Sequence, residues 1–178
     1  MKLTILWSSL ASYSVAFFRE LAISQGFTIQ LVYQRRSAQA SYEPFDLSFC
    51  EIASEDSPAV TRGLDRLVKS FAPDCILMCS WNFRDFMRIA RRLRGPNSCV
   101  VAQMDNQWSG TLRQCLGILS SPFYLWPSID TFLVAGDRQA AFARKLGYSD
   151  VLYGCYAAQV EHFFSQVPIA NRPGPSSS

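Results

Sequence analysis

The chain has 178 residues, of which 49% are apolar and 17% charged, and its formal net charge is +3. That suits one domain with a sizeable core and gives too little positive charge for a nucleic-acid-binding surface. No run of about 18 uninterrupted apolar residues occurs, so no transmembrane helix is expected.

From the start, "LTILW" (3–7) reads as a first strand and not as a signal peptide, because the apolar run stops at Ser8-Ser9 and an amphipathic helix with Arg19 and Glu20 follows. Ser12 or Ser14 is the expected cap of that helix and Gly26 its end. "TIQLVY" (28–33) is a second strand, "QRRSAQASYEP" a polar loop, and "LSFCEI" (47–52) a short third strand. The next segment has apolar residues at 60, 64, 67, 68 and 71, which is helical spacing. "DCILMCS" (74–80) is a fully apolar strand of the buried parallel kind. "NFRDFMRIARRLRG" is a helix ended by Gly95-Pro96, and "SCVVAQ" (98–103) is another buried strand. "SGTLRQCLGILSSPFYLW" is a helix with Ser109 as its expected cap. "IDTFLVA" (129–135) is a strand, a helix runs from Asp137 to about Leu146, and "VLYGCY" (151–156) is a last strand. The tail from 167 to 178 is linker-like.

Strand and helix alternate about six times, which predicts an α/β domain: a Rossmann-like parallel sheet of six to seven strands with helices on both faces, spanning residues 1–166. Six cysteines lie at 50, 75, 79, 99, 115 and 155, mostly in apolar runs, with no CxxC pair and one histidine, His162. This argues against a zinc site or a disulfide framework and reads as a reduced, cytoplasmic protein. Arginine outnumbers lysine, a hint of anionic ligands that a GC-rich genome explains equally well.

Open parallel sheets bind ligands outside the carboxyl ends of their strands, near the switch in strand order. Those ends carry Trp7, Ser8, Ser9 and Ser12 after the first strand. Ser80, Trp81 and Asn82 follow the fourth; Gln103, Asp105, Asn106, Gln107 and Trp108 follow the fifth; Gly136, Asp137 and Arg138 follow the sixth. With strand order 3-2-1-4-5-6, the "WSS" and "SWN" turns lie side by side with "DNQW" adjacent. Hydroxyls, amides and indoles suit a sugar or polyol. Each turn also reads as a simple helix cap, and Trp81 and Trp108 also read as edge packing.

Several chemistries are disfavoured. The first turn has no glycine, which removes the dinucleotide fingerprint and the phosphate-binding P-loop, and no cofactor is implied. There is no GxSxG elbow, and His162 reads as a surface residue. Arg84, Arg88, Arg91 and Arg92 recur at helical spacing opposite Phe83, Phe86, Met87 and Ile89-Ala90. They form either a solvated face or a patch for anionic lipid.

The segments "PDCILMCSWNFRDFMRIARRLRGPNSCVVAQMDNQWSGTLRQ" and "IDTFLVAGDRQAAFARKLG" resemble the N-terminal half of family-four glycosyltransferases of the two-domain GT-B type. The resemblance covers roughly residues 1–166. "YGCYAAQVEHFF" falls where that family has its interdomain motif, keeping Val160 and Phe163 or Phe164 but not the motif's Asn, Gly and Asp. The resemblance implies transfer of a sugar from a nucleotide-diphosphate sugar to a glycan, lipid-linked or small-molecule acceptor held by this half. Asp105 stands near the position of the family's loop histidine, where it would orient an acceptor hydroxyl or act as a base. Ser8, Ser9, Trp81, Asn82, Asn106, Gln107, Trp108 and Arg138 are the expected substrate contacts, with no metal. The donor domain is expected to be absent from the chain, so little activity is expected from it alone. The alternative is a non-catalytic Rossmann-like module that binds a partner protein or an anionic membrane through the arginine stripe.

Overall fold

The apolar runs become the strands of one parallel sheet. The computed structural model describes residues 1–33, 45–54 and 63–154. Along them run β1 (Lys2–Trp7), α1 (Ser12–Ile23), β2 (Thr28–Tyr33), β3 (Cys50–Ser54), α2 (Leu64–Phe71) and β4 (Cys75–Met78). They continue with α3 (Arg84–Leu93), β5 (Cys99–Met104), α4 (Leu112–Tyr124), β6 (Thr131–Val134), α5 (Asp137–Lys145) and β7 (Val151–Tyr153). The strands form a seven-stranded sheet in the order β3-β2-β1-β4-β5-β6-β7, and every neighbouring pair is parallel.

Burial explains why the central strands lack polar alternation. All four residues of β4 are buried, as are five of six in both β1 and β5; a strand covered on both faces has no solvent side to reserve for polar groups. The chain moves outward from β1 to β3, returns through α2, and then moves the other way from β4 to β7. With right-handed crossovers, that reversal sends α1 to one face and α2, α3, α4 and α5 to the other. The core divides accordingly. Leu3, Ile5, Trp7, Leu31 and Leu77 meet Val15 and Phe18 of α1. Leu6, Ile76, Met78, Ala102 and Phe132 meet Val68 of α2, Phe86 of α3 and Ala140 and Phe142 of α5, with Ile118 of α4 packed against them. Helices therefore cover both faces as expected, and among the described residues one lies on one face and four on the other.

Polar groups inside the sheet are satisfied in register. Thr4 lies opposite Gln30 and Gln30 opposite Glu51. Thr4 Oγ1 donates to Gln30 Oε1 at 3.2 Å, and Gln30 Nε2 donates to Glu51 Oε1 at 3.4 Å. The amino ends of the strands are locked by carboxylates. Asp130 accepts from Val100 N at 2.8 Å and from Arg94 Nε at 2.7 Å, and Asp74 accepts from Lys2 N at 2.7 Å.

Three local expectations need correction. The third strand spans 50–54, not 47–52, because Cys50 N first closes a turn onto Leu47 O. The cap position of α1 is Ala11, not Ser12 or Ser14; Ser14 Oγ instead accepts from Ala11 N at 2.9 Å, the reciprocal half of a capping box. The cap of α4 is Thr111, whose side chain accepts from Gln114 N at 3.4 Å. Ser109 is occupied differently, its N and Oγ both donating to Gln114 Oε1. The 34–44 loop, Cys155, His162, the "YGCYAAQVEHFF" segment from 155 onward and the 167–178 tail lie outside the described residues.

Candidate functional site at the carboxyl rim

Parallel strands end together, so the residues that follow β1, β4, β5 and β6 share one rim. Cys79 N donates to Leu6 O at 3.0 Å, which carries the β1–β4 ladder one step past the strands and sets Ser8 beside Cys79. The Cys79 thiol is raised above its ordinary pKa by burial, with hydrogen bonds from Ser8 opposing and the Asp105 carboxylate adding to the rise. Ser8 thus lies against Cys79, and the Asp105 charge reaches the same thiol. Asp105 is exposed; its Oδ1 accepts from Gln103 Nε2 at 3.4 Å and its main-chain carbonyl accepts from Gln139 Nε2 at 3.2 Å. A carboxylate at such a rim can accept a proton from a hydroxyl that comes within hydrogen-bond reach.

The next residue joins a different neighbourhood. Asn106 lines a cavity of about 460 Å³ together with Trp81, Asn82, Arg84, Arg113 and Gln114. Gly117, Ser120 and Tyr124 of α4 form another wall, and Phe142 of α5 and Leu146 just past its end close it. Trp81 is half-buried. Its ring meets Phe132 edge-on at 5.1 Å and Phe142 at 6.3 Å, so the indole is held by the core while one part borders the cavity. Ser80 Oγ accepts from Asn82 N at 3.2 Å, which fixes the turn. Among the residues lining the cavity there are amides, hydroxyls, two guanidinium groups and no carboxylate. That combination suits a polar ligand with an anionic group, since guanidinium forks match phosphate oxygens.

The remaining rim residues hold the loop. Gln107 O accepts from Gln114 Nε2 at 2.8 Å, and Gln107 Oε1 lies 3.5 Å from Arg138 Nη1. Trp108 packs on Phe142 at 5.7 Å with Lys145 Nζ over its ring at 5.1 Å, so the indole is spent on α5 and does not line the cavity. Ser9 sits between β1 and α1 and is also outside the cavity lining. Of the nine residues read from sequence as site residues, the structure gathers Trp81, Asn82 and Asn106 at the cavity, while Ser8 lies against Cys79 and Asp105 acts on that thiol through its charge. Gln107 and Arg138 brace the loop.

The α4 wall was missed. Arg113, Gly117, Ser120 and Tyr124 recur at helical spacing on one side of α4, and that spacing of small and polar residues was the available signal. Cys79 was read only as a core residue. The sequence matches no family model and no curated protein. Among the described residues, no group of three or more His, Cys, Asp or Glu side chains could hold a metal, and no helix is long and apolar enough to cross a membrane.

Proposed function

We propose that this chain is the acceptor-binding half of a sugar-transferring enzyme. The observation that carries the reading is the cavity of about 460 Å³ at the carboxyl rim, in which Trp81 offers a ring edge and Asn82, Asn106, Gln114 and Arg113 offer polar partners. It lies on the side of the sheet where open α/β folds bind ligands. Amides satisfy sugar hydroxyls, and Arg84 and Arg113 suit a phosphate on the acceptor. Asp105, at the same rim, is the candidate base. In this reading the nucleotide-sugar donor belongs to a second domain.

Calorimetry with simple hexoses, hexose 1-phosphates and uridine diphosphate tests the reading. Hexose phosphates should bind in the millimolar range or tighter, and Asn106→Ala and Arg113→Gln should each weaken them about tenfold. Binding of uridine diphosphate in preference to sugar phosphates, or binding indifferent to both substitutions, contradicts it.

A further inference from the structure

Helix α4 is apolar on the side that faces solvent. Leu112 is 76% exposed, Leu116 57%, Leu119 74% and Phe123 80%. At about 100° per residue these four positions fall within roughly 60° of one another, a ridge about 16 Å long. The helix meets the core through other positions: Ser121 is buried and Ile118 packs against the sheet. Ser121 Oγ donates to Leu146 O at 2.6 Å. Just past the ridge, Tyr124 and Trp126 are exposed at 41% and 46%. Four large side chains in solvent along one line of one helix exceed the scattered surface hydrophobes of an ordinary monomer.

Charge identifies what covers the ridge. Residues 106–129 contain no aspartate or glutamate. One flank of α4 bears Arg113 and the 460 Å³ cavity with Arg84. Beside it a groove of about 510 Å³ is lined by Arg84, Met87, Arg88, Arg91 and Arg92 of α3 together with Tyr124 and Ser128. Arg88 pairs with Asp85 and Arg92 with Asp65 at 2.6 Å, whereas Arg84 and Arg91 have no carboxylate partner among the described residues. A second copy of this chain, turned about a two-fold axis, would set this cationic flank near its own image with no acidic side chains from α4 between them. A bilayer with anionic headgroups supplies both an apolar layer for the leucines and negative charge for the arginines, and tyrosine and tryptophan favour its boundary.

We propose that the α3–α4 face is a membrane-docking surface, with the Leu112–Leu116–Leu119–Phe123 ridge entering the headgroup boundary of an anionic leaflet and Arg84, Arg91 and Arg113 resting on the phosphates. The cavity at the carboxyl rim then opens along the flank of the docked helix, within reach of an acceptor carried by lipid. The docking claim stands without the sugar reading, and either can fail alone.

Flotation of the full chain with phosphatidylcholine vesicles, with and without phosphatidylglycerol, tests it. The chain should float with the anionic vesicles at low salt and much less with neutral ones. Leu116→Glu/Leu119→Glu should weaken partitioning by at least about a hundredfold, about tenfold for each leucine removed. Arg84→Gln/Arg91→Gln should remove most of the salt dependence. Ile23→Glu, an equally exposed apolar position on α1 at 70%, should float like the parent. Failure of the parent chain to float, or equal flotation of the ridge variant, overturns the proposal. A concentration-dependent dimer in light scattering that the ridge variant splits, without flotation, overturns it in favour of a second copy.

Discussion

The two edges of the sheet use the same kinds of residue for opposite ends. At the amino edge, carboxylates are consumed by structure: Asp130 ties Arg94 to the first amide of the buried part of β5, and Asp74 ties the start of β1 to β4. Thr131 Oγ1 donates to Asp150 O at 2.9 Å in the same layer. At the carboxyl edge, Asn82, Asn106, Arg84 and Arg113 border open space. The difference teaches that a polar residue beside a strand is no indication of a site until its partners are counted. Substitutions at the amino edge should therefore cost stability, and those at the carboxyl cavity should cost binding.

The largest effect is expected at Gly147, which follows α5 on the amino side. Its φ of +94° favours glycine, and a Cβ there would lie 2.5 Å from Trp126 Cζ2. Gly147→Ala combines backbone strain with overpacking and should destabilise the fold by about 3 kcal/mol in urea melts. Asp130→Ala strands the Val100 amide and the Arg94 guanidinium and should cost about 2 kcal/mol. If either variant melts like the parent, the amino edge is not the structural lock described.

A pH dependence follows at the same edge. The Cys50 thiol, at the start of β3, is pushed up from 9.0 to about 11 by burial, with the Asp46 charge adding. In the unfolded chain the thiol ionises at its ordinary value, while in the folded chain it stays protonated, so the unfolded state loses its proton first. Stability is then level below pH 9 and falls as pH rises toward about 11. Cys50→Ser should reduce that alkaline slope in pH-resolved melts, with the buried Cys75 and Cys79 thiols, also held protonated by burial, keeping the remainder. An unchanged slope would assign it to other groups.

The smallest effect on stability, and the sharpest contrast, is expected at the cavity. Asn82→Ala and Asn106→Ala should each change stability by less than about 0.5 kcal/mol while weakening ligand binding about tenfold. A loss of several kcal/mol in either would make the carboxyl rim as structural as the amino edge.

The sequence was a good guide wherever periodicity decides the outcome. The largely apolar runs of β1, β4 and β5 mark central parallel strands, and the common 3-2-1-4-5-6 order, under which "WSS" lies beside "SWN", is the order found, with β7 added at the edge. What periodicity does not encode is where a side chain goes after a strand ends. Asp105 and Asn106 are adjacent, yet one is held by Gln103 and Gln139 and the other lines the cavity along α4. Trp108 has the residue type of a ligand platform but is claimed by Phe142 and Lys145. In α4 the leucine spacing marks a stripe without saying which side meets the sheet. That side was taken by Ser121 and Ile118, because close approach to the end of α5 favours a small hydroxyl that reaches Leu146 O.

The central claim is that the carboxyl-rim cavity, and not any other hollow, receives a polar ligand. Amide and indole NMR shifts of the full chain during titration with a hexose 1-phosphate test it most directly. The account predicts that the largest changes fall on the Trp81 indole, the Asn82 and Asn106 amides and the Arg113 side chain. Changes centred on the amino-edge hollow bounded by Arg94, Asp130 and Tyr148, or no changes at saturating ligand, would contradict it.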